Sequence, residues 1–440
     1  PYHMYHPTDF WRCDPVSGTF QELKDLIDDC HSRGIYVILD VVVNHMADLA
    51  GLPNGNDDKV YWPNGNTSYT WWNSSVQHRG AFNRLDWFHN NGTITCWNCS
   101  PENLLGQFKG TDDLATERAD VQAELDLAFK NLIAATDCDG FRVDAIKHVE
   151  YNWCKKWADD MRKYAASIGK NDFILFGELF DYDNNALASY CKDDGYSFNS
   201  ALFFPMANTI KSVFKDSGGT GQLTSQRNNI SMYGEGANRL VAFIDNHDMN
   251  RIALEMGGDY NDDVAKLKPA ITFLYTAMPL PLLYYGTEHC FDQGGHYNNQ
   301  DGDEDGDHQR ECMFDRGFQP GPANGNKFDA ARPALYNHIA AINNARKNYK
   351  SLTRGSFSER WQEGSAGAYA YSRTYGEEEA LVAFNTSYDS RSITPNVDSA
   401  DGTVFENVLN PGETVTSSGG KISFSMNGKD SKIFIAGGTP

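Results

Sequence analysis

Ile35-Tyr36-Val37-Ile38-Leu39-Asp40-Val41-Val42-Val43-Asn44-His45 is an almost continuous apolar, β-branched run, interrupted by one acid and closed by an amide and an imidazole. A run that is apolar without alternation suits a strand buried on both faces, as in a parallel sheet covered by helices. Just upstream, Thr19 and Glu22 have capping-box spacing ahead of Leu23, Leu26, Ile27 and Cys30, an apolar stripe at helical intervals that Gly34 ends. The same helix-then-strand order returns downstream. A stripe through Val121, Leu125, Ala128 and Leu132 precedes Phe141-Arg142-Val143-Asp144, and one through Trp153, Trp157, Met161 and Tyr164 precedes Phe173-Ile174-Leu175-Phe176. Further strands are expected at 240–244 and, after a helix over 267–277, at 282–285. Such repetition implies a parallel sheet with helical crossovers, either an open doubly wound sheet or a closed (β/α)8 barrel.

Two stretches break the alternation. Residues 46–113 are rich in Asn, Gly and Trp and lack a helical period; a loop of that length in a compact domain reads as an inserted subdomain. From 351 to 440 short alternating runs take over, among them Ala368-Tyr369-Ala370-Tyr371, Leu381-Val382-Ala383-Phe384, Lys421-Ile422-Ser423-Phe424 and Ile433-Phe434-Ile435, divided by Gly, Asn and Ser clusters. They predict a C-terminal antiparallel β-sandwich. The α/β domain then comprises 1–45 and 114–350.

A formal charge of -21 over 440 residues repels nucleic acid and anionic membrane surfaces, whereas a neutral ligand such as a sugar meets no such barrier. Nine Trp, 22 Tyr and 25 Phe offer flat apolar faces on which pyranose rings can stack, although most serve the core. No apolar run is long enough to span a bilayer. The sequence opens on Pro1, so the natural N-terminus is expected further upstream. Nine cysteines are an odd number, leaving at least one unpaired; the C-x-x-C pair Cys96 and Cys99 has no second pair at zinc-site distance, which leaves a short disulfide or two thiols. Sequons at Asn66, Asn73, Asn91, Asn98, Asn229 and Asn385 agree with secretion.

In parallel architectures ligands collect at the carboxyl ends of the strands. Here those ends read Asn44-His45, then Asp144 with Lys147 and His148, then Gly177-Glu178, then Asp245-Asn246-His247-Asp248. One acid after a strand commonly caps the next helix; polar ends at four successive strands point to a site. Two carboxyl groups flanking an acetal are what glycosidic cleavage requires, one as nucleophile and one as acid, ~5–5.5 Å apart when configuration is retained. Asp144 and Glu178 supply them. A third acid, Asp248, would hold the acid's pKa up through like-charge coupling, and Arg142, two residues before Asp144 on the same strand face, would keep the nucleophile ionised.

The four segments Asp40-Val41-Val42-Val43-Asn44-His45, Gly140-Phe141-Arg142-Val143-Asp144-Ala145-Ile146-Lys147-His148, Gly177-Glu178-Leu179-Phe180 and Phe243-Ile244-Asp245-Asn246-His247-Asp248 resemble, in order, the signature regions of the α-amylase family of glycoside hydrolases. The likeness runs from Pro1 through the final β-sandwich and is greatest to true α-amylases. It implies a (β/α)8 TIM barrel whose first strand would precede Pro1, with the insertion after the third strand. It further implies Asp144 as nucleophile, Glu178 as acid and base, and Asp248 as stabiliser of the distorted sugar. Tyr5, His45, Arg142 and His247 would hold the sugar at the cleavage subsite, and Lys147 and His148 would lie on the leaving-group side. Calcium is implied at Asn44, Asp113 and the backbone carbonyl of His148. The activity implied is a secreted, monomeric endo-hydrolase of α-1,4-glucans; glucanotransferase, exo-acting hydrolase and non-catalytic binder are the alternatives.

Three features depart from the family. His6 stands where relatives often carry Trp. Gly286 follows the 282–285 run where chloride-dependent members place a basic residue, so chloride activation is not expected. Asp301-Gly302-Asp303-Glu304-Asp305-Gly306-Asp307 has the D-x-D-x-D-G spacing of a calcium loop but lacks the closing Glu, because Cys312 holds that place.

Overall fold

The computed structural model describes residues 3–55, 60–72, 80–108, 110–192, 195–215, 218–293, 308–311 and 333–436. The Asp301–Asp307 loop and the Asn73 sequon therefore lie outside the described residues. The chain forms two compact units: Pro1–Asp181 with Asn185–Leu202 and Tyr233–Gly236, and Tyr182–Asn184 with Phe203–Met232 and Ala237–Pro440.

In the first unit the helix Phe20–Ser32 starts where the sequence predicts. Thr19 Oγ1 accepts the Glu22 N–H at 3.2 Å and the Glu22 carboxylate accepts the Thr19 N–H at 2.8 Å, so two otherwise orphaned donors are satisfied reciprocally. The strand Ile38–Val42 pairs in parallel with Gly140–Asp144, that strand with Ile174–Gly177, and the last with the two-residue strand Ser200–Ala201. Helices Ala119–Thr136 and Tyr151–Ser167 supply crossovers. Their inward aromatic rings meet those of the sheet: Phe129 lies 6.0 Å from Phe141 and 5.3 Å from Trp157, and Phe141 lies 5.2 Å from Phe173.

The inserted stretch carries little regular structure. His45–Met46 pairs antiparallel with Asp112–Asp113, and Ala50–Gly51 with Thr70–Trp71. A small core of Ala50, Leu52 and Tyr69, flanked by Trp62, Trp71 and Leu85, lies beneath them.

In the second unit Val241–Ala242 pairs in parallel with Leu280–Pro281. Between them runs the helix Tyr260–Ala277, capped by Asp259, whose carboxylate accepts the Asn261 and Asp262 N–H groups at 3.0 Å each. The C-terminal residues form a six-stranded antiparallel sheet, in the order Ser356–Trp361, Ala368–Tyr375, Glu378–Asn385, Ser431–Ala436, Val404–Asn407, Thr414–Thr416. A second sheet, Arg391–Ile393 with Phe424–Met426, lays Ile393, Phe424 and Met426 against Ala368, Ala370 and Ala383 of the first, giving the two-layer sandwich.

Several expectations shift. The run at 35–43 is not buried throughout: Ile35 is 53% and Tyr36 80% exposed, and only Val41 to Val43 are fully enclosed. Ile35 N–H still bonds the helix carbonyl of Cys30 at 3.0 Å, so pairing starts only at Ile38, on a strand with one partner among the described residues. Of the preceding helical stripe only Ile27 is buried, and Leu26 is 57% exposed. The strand expected at 282–285 lies at Leu280–Pro281, with Leu282 N–H continuing the pairing to Ala242 O at 2.7 Å. The sequons at Asn91 and Asn385 are buried, and the Asn385 amide donates to Asp389 O and Asn427 O; neither is open to glycosylation in the folded chain. Cys96 and Cys99 form a disulfide. No helix among the described residues is long and apolar enough to cross a membrane.

Candidate active site

Parallel register brings the motif residues of the first unit together. Asp40 lies opposite Arg142 and Val42 opposite Asp144, while Glu178 N–H extends the next ladder by bonding Val143 O at 2.8 Å. Arg142 and Asp144, two apart on one strand, face the same way. Arg142, Asp144 and Glu178 are buried, whereas Asp40 is exposed.

One guanidinium organises them. Arg142 Nη1 donates to Asp144 Oδ1 at 2.6 Å and to Asp40 Oδ1 at 2.8 Å, and Nη2 stands 2.8 Å from Glu178 Oε1. Burial works against the Arg142 cation, but Glu178, Asp144 and Asp40 hold its pKa well above the ordinary value. Asp40 Oδ2 also accepts the Tyr5 hydroxyl at 2.7 Å, and Tyr5 turns its ring toward the guanidinium, 5.7 Å from the centroid. Burial, reinforced by Asp40, raises the Tyr5 pKa, so the phenol stays protonated.

The backbone bends sharply behind Asp144. Ala145 is left-handed, φ 50°, a conformation that costs a residue with a Cβ roughly 1–2 kcal/mol. In return Ala145 N–H points at Glu178 Oε2, 3.3 Å away, and Ile146 N–H bonds Glu178 O at 3.1 Å. Gly177 leaves room for the turn, since a Cβ there would lie 2.3 Å from Ile146 Cδ1 and would displace that side chain.

His45 is buried and donates from Nε2 to Tyr5 O at 3.0 Å, while its Nδ1 faces the Asn44 amide at 3.3 Å. Burial pushes its pKa down to about 4, so the ring is neutral near pH 7. Lys147 donates to Asn98 Oδ1 at 2.7 Å and Asp181 Oδ2 at 2.9 Å. His148 Nδ1 donates to Asn103 O at 2.8 Å.

The residues assigned to metal binding present hard oxygen atoms. Asn44 and Asp113 are buried, and the pairing of His45–Met46 with Asp112–Asp113 brings their backbones together, with Leu114 N–H bonding Asn44 O at 2.9 Å. Asn103 Oδ1, beside His148, is buried without a hydrogen-bond donor among the described residues. Asp113 Oδ2 also meets His89 Nδ1 at 2.5 Å, and His89 Nε2 meets Glu117 at 2.9 Å. Although burial disfavours its charge, these two carboxylates raise the His89 pKa. His89, Glu117 and Glu150 also converge closely enough to hold an ion, as do Asp28, His31 and Asp137.

In the second unit the two acids of Asp245-Asn246-His247-Asp248 differ. Asp245 is buried and accepts Thr287 Oγ1 at 2.9 and 3.0 Å and Ile252 N–H at 3.0 Å. Asp248 is partly exposed, with His247 Nε2 at 3.0 Å and Arg310 Nη2 at 3.2 Å. Sequence reasoning missed Arg310, which carries no motif signal, and Asn98 and Asp181 as partners of Lys147. It also gave Asp40 no role, although an acid inside an apolar strand was the visible clue.

The family model for the α-amylase catalytic domain matches residues 2–355. A β/α-amylase of Paenibacillus polymyxa is 29% identical over 98% of this chain and 32% of its own length, and an α-amylase of Streptomyces lividans 28% identical over 99% and 50%. The chain thus spans a third to a half of these curated relatives. Cyclomaltodextrin glucanotransferases match at 28–29% identity. Among solved structures, an α-amylase of Geobacillus thermoleovorans complexed with acarbose aligns over 100% of this chain and 85% of its own, with a TM-score of 0.79 and 25% identity. The catalytic fold is therefore a (β/α)8 barrel followed by a C-terminal β domain, and the chain belongs to the α-amylase family of glycoside hydrolases.

Proposed function

We propose that the protein is a retaining endo-hydrolase of α-1,4-glucosidic bonds in starch, glycogen or maltooligosaccharides. The observation that carries this reading is the single Arg142 guanidinium that meets Asp144 Oδ1 at 2.6 Å and Glu178 Oε1 at 2.8 Å, so that two carboxyl groups flank one cation, the kind of pair that cleavage of a glycosidic bond uses. Asp144 attacks the anomeric carbon while Glu178 gives its proton to the leaving oxygen, so the glycosidic bond breaks as the ester to Asp144 forms. Glu178 then takes a proton from water, whose oxygen displaces Asp144. Asp144 and Glu178 share this one cation with Asp40, which gathers three carboxyl groups around a single guanidinium. The third role falls to Asp248 on its sequence motif, with His247 beside it; Tyr5 and His45 line the cleavage subsite.

Calcium fits the oxygen donors of Asn44, Asp113 and the His148 carbonyl, where it would tie the 46–113 subdomain to the barrel. A lower thermal midpoint after chelation, restored by added calcium, is the expected behaviour. The Cys96–Cys99 disulfide supports an oxidising, extracellular setting. In this reading 1–45 and 114–350 form the barrel and 351–440 the C-terminal domain. Products from long linear amylose test the activity: a ladder of linear oligosaccharides from the first minutes is expected. Cyclic or elongated products would make the enzyme a glucanotransferase, and one short product from the outset an exo-hydrolase.

A further inference from the structure

In the second unit the helix Tyr260–Ala277 ends in a group of three arginines that the cleavage chemistry does not use. Arg227 Nε donates to Ala277 O at 3.2 Å, and Arg373 Nη1 donates to the same oxygen at 3.3 Å. Arg346 Nη1 donates to Tyr275 O, two residues earlier. Arg373 Nε also meets Ser351 O at 3.3 Å and Arg346 Nη1 meets Leu352 O at 3.5 Å, so adjacent peptide groups hold these two side chains. The arginines come from three elements, the helices Gly221–Asn228 and Ala334–Asn348 and the strand Ala368–Tyr375. Arg373 is buried, and Arg227 and Arg346 are half-buried.

The last carbonyls of a helix lack intrahelical donors, so one arginine at such an end is an ordinary cap. Three are more than the end requires. The helix dipole offers about half a negative charge there, against three full positive charges. No carboxylate among the described residues forms an ion pair with Arg227, Arg346 or Arg373. Their polar neighbours are neutral: the Tyr369 hydroxyl meets Thr224 and the Tyr371 hydroxyl meets Thr276. Burial, with Arg227 and Arg346 adding to it, pushes the Arg373 pKa down to about 10, so the guanidinium is still charged near pH 7. Gathering cations out of water is costly unless an anion joins them.

The free donors suit one kind of anion. The Arg227 guanidinium lies 4.0 Å over the Phe357 ring centroid, which holds its plane, and among the described residues its Nη1 and Nη2 meet no acceptor, nor does Arg373 Nη2. Planar forks of this kind match the paired oxygens of an oxyanion. We propose that Arg227, Arg346 and Arg373 form a binding site for one tetrahedral inorganic oxyanion, of the phosphate or sulfate class, which ties the helices Gly221–Asn228 and Ala334–Asn348 to the strand Ala368–Tyr375. The anion stabilises the folded chain, because only folding brings the three arginines together.

The test uses the full chain with calcium present and sulfate as the probe, since phosphate would precipitate the calcium. Titration calorimetry of the parent should show one sulfate site per chain. A roughly hundredfold excess over the measured Kd should raise the thermal midpoint by about 2–3 °C relative to chloride at equal ionic strength. In Arg227→Gln both the heat signal and the shift should be lost, whereas Arg227→Lys, which keeps the charge but not the fork, should bind about tenfold more weakly. A parent that binds no sulfate would overturn the site, and that titration decides even if Arg227→Gln fails to fold. An equal shift in the parent and in a folded Arg227→Gln would overturn it as well, because the shift would then reflect only the general exclusion of sulfate from protein surfaces.

Discussion

Two strand-end acids with similar sequence surroundings, Asp144 and Asp245, are put to opposite uses. Asp245 is saturated by neutral donors, the Thr287 hydroxyl and the Ile252 N–H, and its neighbours would be left unsatisfied without it. Asp144 shares a charged donor with two further carboxyl groups, Asp40 and Glu178, an arrangement no fold needs for its own sake. The difference teaches how to separate a brace from a reacting group: a brace has neutral partners that depend on it, whereas a reacting group is held in a crowd of like charge.

Substitution sharpens that contrast most where chemistry is at stake. Asp144→Asn and Glu178→Gln should each lower kcat on amylose by at least ~10³-fold while the protein still melts cooperatively and still binds maltooligosaccharides, because the interactions removed are made in the transition state. Asp245→Ala should do the reverse. It leaves a buried N–H and a buried hydroxyl without an acceptor, so unfolding in urea should show a loss of ~2–4 kcal/mol, with Asp245→Asn losing less. Equal effects of the two kinds of substitution on stability would erase the distinction.

A pH titration probes a brace of the opposite charge type. Burial, with Lys268 nearby, pushes His338 down from 6.5 to about 4, while its Nε2 meets Thr272 Oγ1 at 2.9 Å and Lys268 O at 3.1 Å. The folded pKa is below the unfolded one, so the unfolded state takes up the proton first. The stability His338 contributes is complete above about pH 6.5 and is lost as pH falls toward 4. With the ring only partly buried, the loss should be about 2 kcal/mol over that range, and His338→Gln should flatten it.

Much of this was legible in the sequence. The Thr19 and Glu22 spacing marked the helix start to the residue, because a capping box is local chemistry. The parallel strands ending in Asp144 and Glu178 were legible because burial on both faces leaves an uninterrupted apolar run. Ser200–Ala201 was not: two residues paired on one strand leave no pattern to read. The exposure of Ile35 and Tyr36 was hidden as well, since an apolar run does not reveal where pairing begins. Nor could spacing disclose that Arg142 serves Asp40, Asp144 and Glu178 at once, because Asp40 and Glu178 lie far from it in sequence and meet it only through strand register.

The central claim is that Asp144 forms the bond to sugar while Glu178 handles the proton. Glu178→Gln incubated with an activated α-maltosyl fluoride, which needs no acid to depart, should accumulate the ester, and peptide mass mapping should find the added maltosyl mass on Asp144. Recovery of that mass on another residue, or a product of inverted anomeric configuration from the parent enzyme, would contradict it.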